Sequence, residues 1–257
     1  MILPKKSLGQ NFLIDSNITK KILKITNIEN KNIIEIGPGR GALTEAILKK
    51  KPKSLLMIEK DKTLANQLKI KLKNFNNVKV INKDILDIKI EKIIKSKSVV
   101  LGNLPYNVSS RILINFIKFE KWPPKFSEII FMFQKEVAEK IIGKSYGRLS
   151  IITNYKLNCE KKFEVSPNCF YPRPKVISSV IHFTPKKNLF FKIKNLENLE
   201  NLTNIFFSKK RKMIKKNLHK VLSVDQIKEL KDLNLSLRPA DLKPETYYKI
   251  VELIESK

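Results

Sequence analysis

A chain of 257 residues, 42% of them apolar, suits one large domain or a main domain with a small second one, and it is too apolar for global disorder. No apolar run approaches membrane-spanning length, and with two cysteines and two histidines a zinc site, a His-based metal cluster and a nucleophile triad are not expected. The net charge of +28 points to a polyanionic partner, most simply nucleic acid, although a composition rich in Lys, Ile and Asn raises the charge by itself.

The opening Met1-Ile2-Leu3-Pro4-Lys5-Lys6 has no apolar segment behind its charges, so no signal peptide is expected and the chain is placed in the cytoplasm. In Leu8-Gly9-Gln10-Asn11-Phe12-Leu13 the last two side chains want burial. This arm either covers the core or brings Asn11 and the Leu13 backbone to a ligand. Asp15 or Ser16 can cap a helix with Ile18, Ile22, Leu23 and Ile25 as its apolar positions. Ile33-Ile34-Glu35-Ile36 reads as a short strand entering the turn Gly37-Pro38-Gly39-Arg40-Gly41, followed by a helix with Leu43, Ile47 and Leu48 inward. Glycines there let the backbone turn tightly and approach a ligand closely. Leu55-Leu56-Met57-Ile58 is a second strand. Glu59 at its end lies about 20 residues beyond the glycines, where an acid meets ribose hydroxyls in dinucleotide-type folds. Val78-Lys79-Val80-Ile81 is a third strand ending near Asp84, which can accept from an adenine amine or simply cap the next helix. The lack of a Gly-x-x-x-x-Gly-Lys-Ser/Thr loop argues against an ATPase, but a glycine turn and an acid do not separate NAD from S-adenosylmethionine.

The next strand, Val99-Val100-Leu101-Gly102, leads into Asn103-Leu104-Pro105-Tyr106-Asn107 and a helix with Val108, Ile112, Phe116 and Phe119 on one face. A turn at the carboxyl end of a buried strand is where open α/β sheets place ligands. The lone pair of an adenine N6 amine is delocalised into the ring. An Asn oxygen and the Leu104 carbonyl, accepting its two hydrogens, favour the tetrahedral nitrogen that attacks a methyl group. Pro105 stiffens the turn, and Tyr106 offers a flat face to a base taken out of its stack. The plainer alternative is a strand-ending turn with a core Tyr.

Ile129-Ile130-Phe131-Met132-Phe133 is a further buried strand, with Val137, Ile141 and Ile142 on a following helix, and Tyr146-Gly147-Arg148 turns into another ordered segment. In Pro167-Asn168-Cys169-Phe170-Tyr171-Pro172-Arg173-Pro174-Lys175-Val176 the prolines hold an extended or turned loop. Phe170 is there either the second face of a base sandwich or a core plug. Residues 176–183 read as a last strand closing an antiparallel edge pair. A boundary near Pro185-Lys186-Lys187-Asn188 divides 1–186 from a helical domain at 187–257. In that domain 208–222 reads as a basic amphipathic helix with Ile214, Leu218, Val221 and Leu222 as its stripe. Lys209, Lys210, Arg211, Lys212, Lys215 and Lys216 are its candidates for phosphate contact.

As an ordered set, Gln10-Asn11-Phe12-Leu13, the glycine turn, Asn103-Leu104-Pro105-Tyr106-Asn107 and Phe170-Tyr171-Pro172-Arg173-Pro174-Lys175-Val176 resemble the ribosomal RNA adenine N6-dimethyltransferases, most of all those of the small subunit. The resemblance implies an α/β fold: a Rossmann-like S-adenosylmethionine-dependent methyltransferase domain with a small C-terminal helical domain that binds RNA. It implies that Asn11, Leu13, Gly37, Gly39, Glu59, Asp84 and Asn103 bind S-adenosylmethionine. It also implies that Asn103, Leu104, Pro105 and Tyr106 serve the target amine and that Tyr106 and Phe170 stack on its base. The expected reaction is dimethylation of two adjacent adenosines in the 3′-terminal hairpin of 16S rRNA within an immature small subunit. A monomer needing neither metal nor membrane is expected to carry it out. The rivals are a large-subunit or DNA adenine methyltransferase, and an RNA-binding assembly factor on the same fold; intact Glu59, Asp84, Asn103 and Tyr106 speak against the latter.

Overall fold

The computed structural model describes residues 3–143, 146–231 and 233–256. Its elements run β1 (Phe12–Leu13), α1 (Ser16–Leu23), β2 (Asn32–Ile36), α2 (Ala42–Lys49), β3 (Ser54–Glu59), α3 (Lys62–Lys71), β4 (Val78–Asn82), α4 (Ile90–Ile93), β5 (Ser98–Gly102), α5 (Tyr106–Ile117), β6 (Phe126–Gln134), α6 (Lys135–Ile141), α7 (Arg148–Lys156), β7 (Leu157–Val165), β8 (Phe170–Tyr171), β9 (Ser178–Pro185), α8 (Leu196–Phe207), α9 (Lys215–Leu218), α10 (Val224–Lys228) and α11 (Pro244–Glu255). Two compact units result: Met1–Ala138 with Asn158–Pro185, and Glu139–Leu157 with Lys186–Lys257. The second unit thus includes a segment that the sequence reading leaves in the first domain.

The first unit is built on a seven-stranded sheet in the order β4-β3-β2-β5-β6-β9-β7. Strand β5 is buried along its whole length, as a central parallel strand covered on both faces must be. The chain leaves β2 for β3 and β4 on one side, then returns to β5 and β6 on the other, all in parallel. The order therefore reverses between β2 and β5, which opens a crevice at their carboxyl ends. Register sets what lines it. Ile36 is level with Ile58 and with Gly102, so Gly37, Glu59 and Asn103 leave or end the sheet side by side. Strand β9 runs antiparallel to β6, with Ser178 opposite Gln134, so it starts at the edge where the parallel strands end. It is the last strand in the chain and lies in the pair at this edge of the sheet. Strand β7 takes the edge beyond it.

Helix α5 is held on the sheet by Phe116, whose ring meets Phe126 and Phe131 of β6 edge-on at 5.7 and 5.9 Å. Each such fully buried ring contributes about 1.5–3 kcal/mol by leaving water. Asp15 caps α1 by accepting from Asn17 N–H, and Ile18, Ile22 and Leu23 are buried as their spacing requires. In the second unit α7, α8 and α11 pack together. Tyr248 Oη donates to the Ile151 carbonyl at 2.7 Å, and Tyr247 Oη to the Pro239 carbonyl at 2.7 Å. The expected helix over 208–222 does not form: 208–212 are turns and bends and only Lys215–Leu218 is helical. Ile214, Leu218 and Leu222 are still buried, so the stripe was legible but the continuous helix was not. The helix is broken where Ile214 N–H bonds the Leu237 carbonyl at 2.9 Å, and seven basic residues among 209–220 would add repulsion along a continuous helix.

Candidate active site

One cavity at the carboxyl ends of β2–β5 is lined by Asn11, Leu13, Gly37, Gly39, Glu59, Asp84 and the run Asn103-Leu104-Pro105-Tyr106. The sheet register and the N-terminal arm bring these together from positions up to 95 residues apart in the chain. Phe170 is not among the lining residues. It pairs with Leu13 across the β1–β8 ladder and is buried in the core at 3% exposure, whereas Tyr171 beside it is 45% exposed. Lys209, Lys210, Arg211, Lys212, Lys215 and Lys216 are all exposed and belong to the second unit.

The glycine turn is shaped by its backbone. Gly37, Gly39 and Gly41 have φ of +64°, +57° and +86°, the left-handed region that a side chain disfavours. A Cβ on Gly39 would stand 2.9 Å from Phe12 Cδ1, so the arm packs directly onto the turn. The Arg40 guanidinium lies over the Phe12 ring at 4.6 Å and the Tyr171 ring at 5.5 Å, which links turn, arm and β8 by cation–π contacts.

Glu59 is buried. One carboxylate oxygen accepts from Gly39 N–H at 3.0 Å and the other from Asp61 N–H at 2.8 Å. Burial raises its pKa, and these N–H groups oppose the rise. A carboxylate offers about four acceptor positions, so these N–H groups leave acceptor capacity for ribose hydroxyls. Asp84 accepts from Leu86 N–H at 2.9 Å and pairs with Lys60 Nζ at 2.8 Å. Burial pushes its pKa up, but these partners outweigh burial and hold the carboxyl below its ordinary value. Asp84 thus caps the turn after β4 and also lines the cavity; the two readings of it are compatible. Deeper in the cavity, burial pushes Glu35 up to about 8, with the Glu59 charge adding to the rise and a 2.7 Å bond from Thr44 Oγ1 opposing it. Glu35 is therefore mostly protonated at neutral pH.

Asn103 Nδ2 donates to the Asn11 carbonyl at 3.0 Å, which leaves the side-chain oxygen as its acceptor. The amide ladder of α5 begins at the Pro105 carbonyl, which accepts from Val108 and Ser109 N–H, so the Leu104 carbonyl precedes it and is not consumed by it. The Leu104 side chain is buried against Gly102, where a Cβ would stand 2.8 Å from Leu104 Cδ2. Tyr106, half-buried, shares a 2.6 Å hydrogen bond with Ser178 Oγ.

Sequence reasoning missed the group that fastens the arm. Asp61, 2% exposed, accepts from Lys5 Nζ at 2.9 Å and from Gln10 Nε2 at 3.2 Å, and it caps α3 through Thr63 and Leu64 N–H. Its capping role is signalled by an Asp just ahead of an apolar-periodic stretch. Its bond to Gln10 spans 51 residues and has no local signal.

A doubly wound sheet with an antiparallel strand set between β6 and β7, a glycine turn after its first long strand and acids at the ends of the next two define a Rossmann-like methyltransferase of the S-adenosylmethionine-dependent class. The solved dimethyladenosine transferase from Plasmodium falciparum superposes with a TM-score of 0.79 at 25% identity, covering 95% of this chain and 98% of that one. The 23S rRNA methyltransferase ErmE shares the fold, with a TM-score of 0.73 at 23% identity over 95% and 99% of the two chains. Residues 2–256 match the family described as Ribosomal RNA adenine dimethylase, and the chain belongs to it. The Pelagibacter ubique protein named Ribosomal RNA small subunit methyltransferase A is 48% identical over 256 residues, covering 98% of this chain and 97% of that one.

Proposed function

We propose that this chain transfers methyl groups from S-adenosylmethionine to N6 of two adjacent adenosines in the 3′-terminal hairpin of 16S rRNA, two per nitrogen, during small-subunit biogenesis. It acts as a cytoplasmic monomer on an immature subunit. The reading is carried by one observation: Glu59, Asp84 and the Asn103–Tyr106 run converge on one cavity in a chain that matches a small-subunit methyltransferase along nearly its whole length.

The cavity suits the cofactor. The glycine turn keeps open a space that a Cβ would narrow, Glu59 keeps acceptor capacity for ribose hydroxyls, and Asp84 can accept from an adenine amine. Asn11 and Leu13 close the methionyl side. When bound, S-adenosylmethionine supplies a sulfonium-activated methyl. The chain itself contributes orientation and electrostatics. Asn103 Oδ1 and the Leu104 carbonyl accept the two amine hydrogens of the target adenine and localise its nitrogen lone pair. Tyr106 stacks on the extruded base, a role we also propose for Phe170, which here pairs with Leu13 across the β1–β8 ladder. Lys209, Lys210, Arg211, Lys212, Lys215 and Lys216 contact RNA phosphates from the second unit.

The test uses small subunits from a strain lacking the modification, labelled S-adenosylmethionine, and either wild-type protein or Asn103→Ala. The expected result is label and reverse-transcription stops at the paired 3′-end adenosines with wild type only. Label on large-subunit RNA or DNA instead would assign the chain to another substrate. Tight binding without label would make it an assembly factor.

A further inference from the structure

We infer that Ser178 is a positioning residue for the target base, acting through the hydroxyl of Tyr106; the inference rests on the function proposed above. Tyr106 is the first residue of α5, and its ring lines the cavity. A ring at a helix start is free to turn about its side-chain torsions unless something holds its far end. Here the far end is held, because Tyr106 Oη and Ser178 Oγ are 2.6 Å apart, slightly inside the usual O–H···O distance.

The anchor is rigid. Ser178 is fully buried and opens β9, opposite Gln134 in the β6 ladder, and the preceding carbonyl, that of Ile177, accepts from Lys135 N–H at 2.9 Å. Only because β9 runs antiparallel does its first residue reach the edge where the parallel strands deliver Asn103 and Glu59. The contact is specific to this serine. Its neighbour Ser179 is equally buried, but strand alternation sends it to the other face, where its Oγ has no hydrogen-bond partner among the described residues.

A stacking ring fixed before the base arrives removes an ordering cost that substrate binding would otherwise carry, and it holds the base where Asn103 can reach its amine. The phenol hydroxyl is accordingly assigned to the protein side of the site. Either hydroxyl can donate, since each is both donor and acceptor.

The experiment compares methyl transfer to unmodified small subunits by wild type, Ser178→Ala, Tyr106→Phe, the double variant and Ser179→Ala, with S-adenosylmethionine affinity measured alongside. Loss of one neutral hydrogen bond is expected to slow transfer about 3- to 10-fold in each single variant of the pair. The double variant should be no slower than the slower single one, because both remove the same bond. Cofactor affinity should stay within about twofold, and Ser179→Ala should match wild type, since it loses a buried hydroxyl but not this bond. A purely structural effect of Ser178 would instead lower affinity and rate together and would multiply with Tyr106→Phe. Wild-type transfer by Ser178→Ala, or multiplied losses in the double variant, overturns the inference and leaves the function standing. If Ser178→Ala does not fold, Tyr106→Phe decides alone, and a full transfer rate overturns the inference. A wild-type protein that transfers no methyl to these subunits overturns the function reading, and the inference with it.

Discussion

Replacing Gly39 by Ala probes the joint between the N-terminal arm and the glycine turn. Gly39 sits at φ +57°, where a residue with a Cβ costs about 1–2 kcal/mol. The new methyl would also stand 2.9 and 3.1 Å from two carbons of the Phe12 ring. That ring is 6% exposed, is stacked by Arg40 and belongs to the β1–β8 ladder, so it yields only by moving the arm. Overpacking of this kind costs about 1–3 kcal/mol, and the stiffer unfolded chain returns about 0.4–1 kcal/mol. The net loss is about 1–5 kcal/mol with a central value of about 3 kcal/mol, which corresponds to roughly 6–12 °C in Tm for a chain of this size. Two other glycines calibrate it. Gly37 has the same backbone strain, but the nearest atom to its Cβ would be 3.9 Å away, so Gly37→Ala should lose only about 1 kcal/mol. Gly147 has φ −156° and nothing within 4 Å, so Gly147→Ala should be neutral or slightly stabilising. Thermal melts of the three variants, with S-adenosylmethionine titrations, measure the order. Gly39→Ala should also bind cofactor at least tenfold more weakly, because it displaces the arm and disturbs the N–H that Glu59 accepts. A Gly39→Ala protein that melts and binds like wild type would refute the argument.

Removing the Tyr106 ring should cost more than removing its hydroxyl: Tyr106→Ala is expected to lose about 10- to 1,000-fold in transfer, against about 3- to 10-fold for Tyr106→Phe. Single-turnover labelling measures both, and equal losses would contradict the stacking role. Glu35 keeps its proton to about pH 8 in the folded chain but only to about 4.5 when unfolded. Between those values the folded state binds more protons, so stability falls as pH rises through that window. Glu35→Gln retains an acceptor for Thr44 and should flatten the fall, raising stability at pH 8 by an amount on the order of a few kcal/mol in the cofactor-free protein; urea midpoints from pH 5 to 8 show whether it does. Glu128 works in the opposite sense. Against the upward push of burial, His182 and Lys31 hold it down at about 2, so its contribution is complete above about 4.5 and is lost as pH falls toward 2. Glu128→Gln should therefore be destabilised at pH 7 and approach wild type below pH 3. Finally, neutralising Lys212, Lys215 and Lys216 should flatten the dependence of log affinity for RNA on log salt by about 2–3. An unchanged slope would make them solvated surface residues.

The arm shows where sequence reasoning stops. Phe12 and Leu13 are recognisable as side chains seeking burial, because two bulky apolar residues in a polar stretch demand it. That they find it in a two-residue strand against Phe170 and Tyr171 is not legible, because pairing at a separation of more than 150 residues leaves no periodic trace. The same holds for Phe170. Its motif marks it as important and its chemistry fits a stacking face and a core plug equally; its 3% exposure is a tertiary fact that no local signal carries. The basic run at 209–220 failed for another reason. Its apolar stripe follows from local spacing, whereas the break after α8 depends on tertiary packing. There Ile214 N–H bonds the Leu237 carbonyl instead of continuing a helix.

The strands that carry the cavity, the glycine turn, the acids at the strand ends and the Asn103–Tyr106 run are legible from local sequence. Each is written in nearest-neighbour chemistry: apolar runs that must be buried, glycines that reach positive φ without the cost of a Cβ, and a proline that fixes a turn. That Asp61 holds Lys5 and Gln10, that Arg40 spans Phe12 and Tyr171, and that Ser178 meets Tyr106 follow from the folded chain alone. Those contacts join side chains from elements distant in the chain. Their existence depends on strand order, direction and register, which the collective packing of the core settles and no local segment encodes.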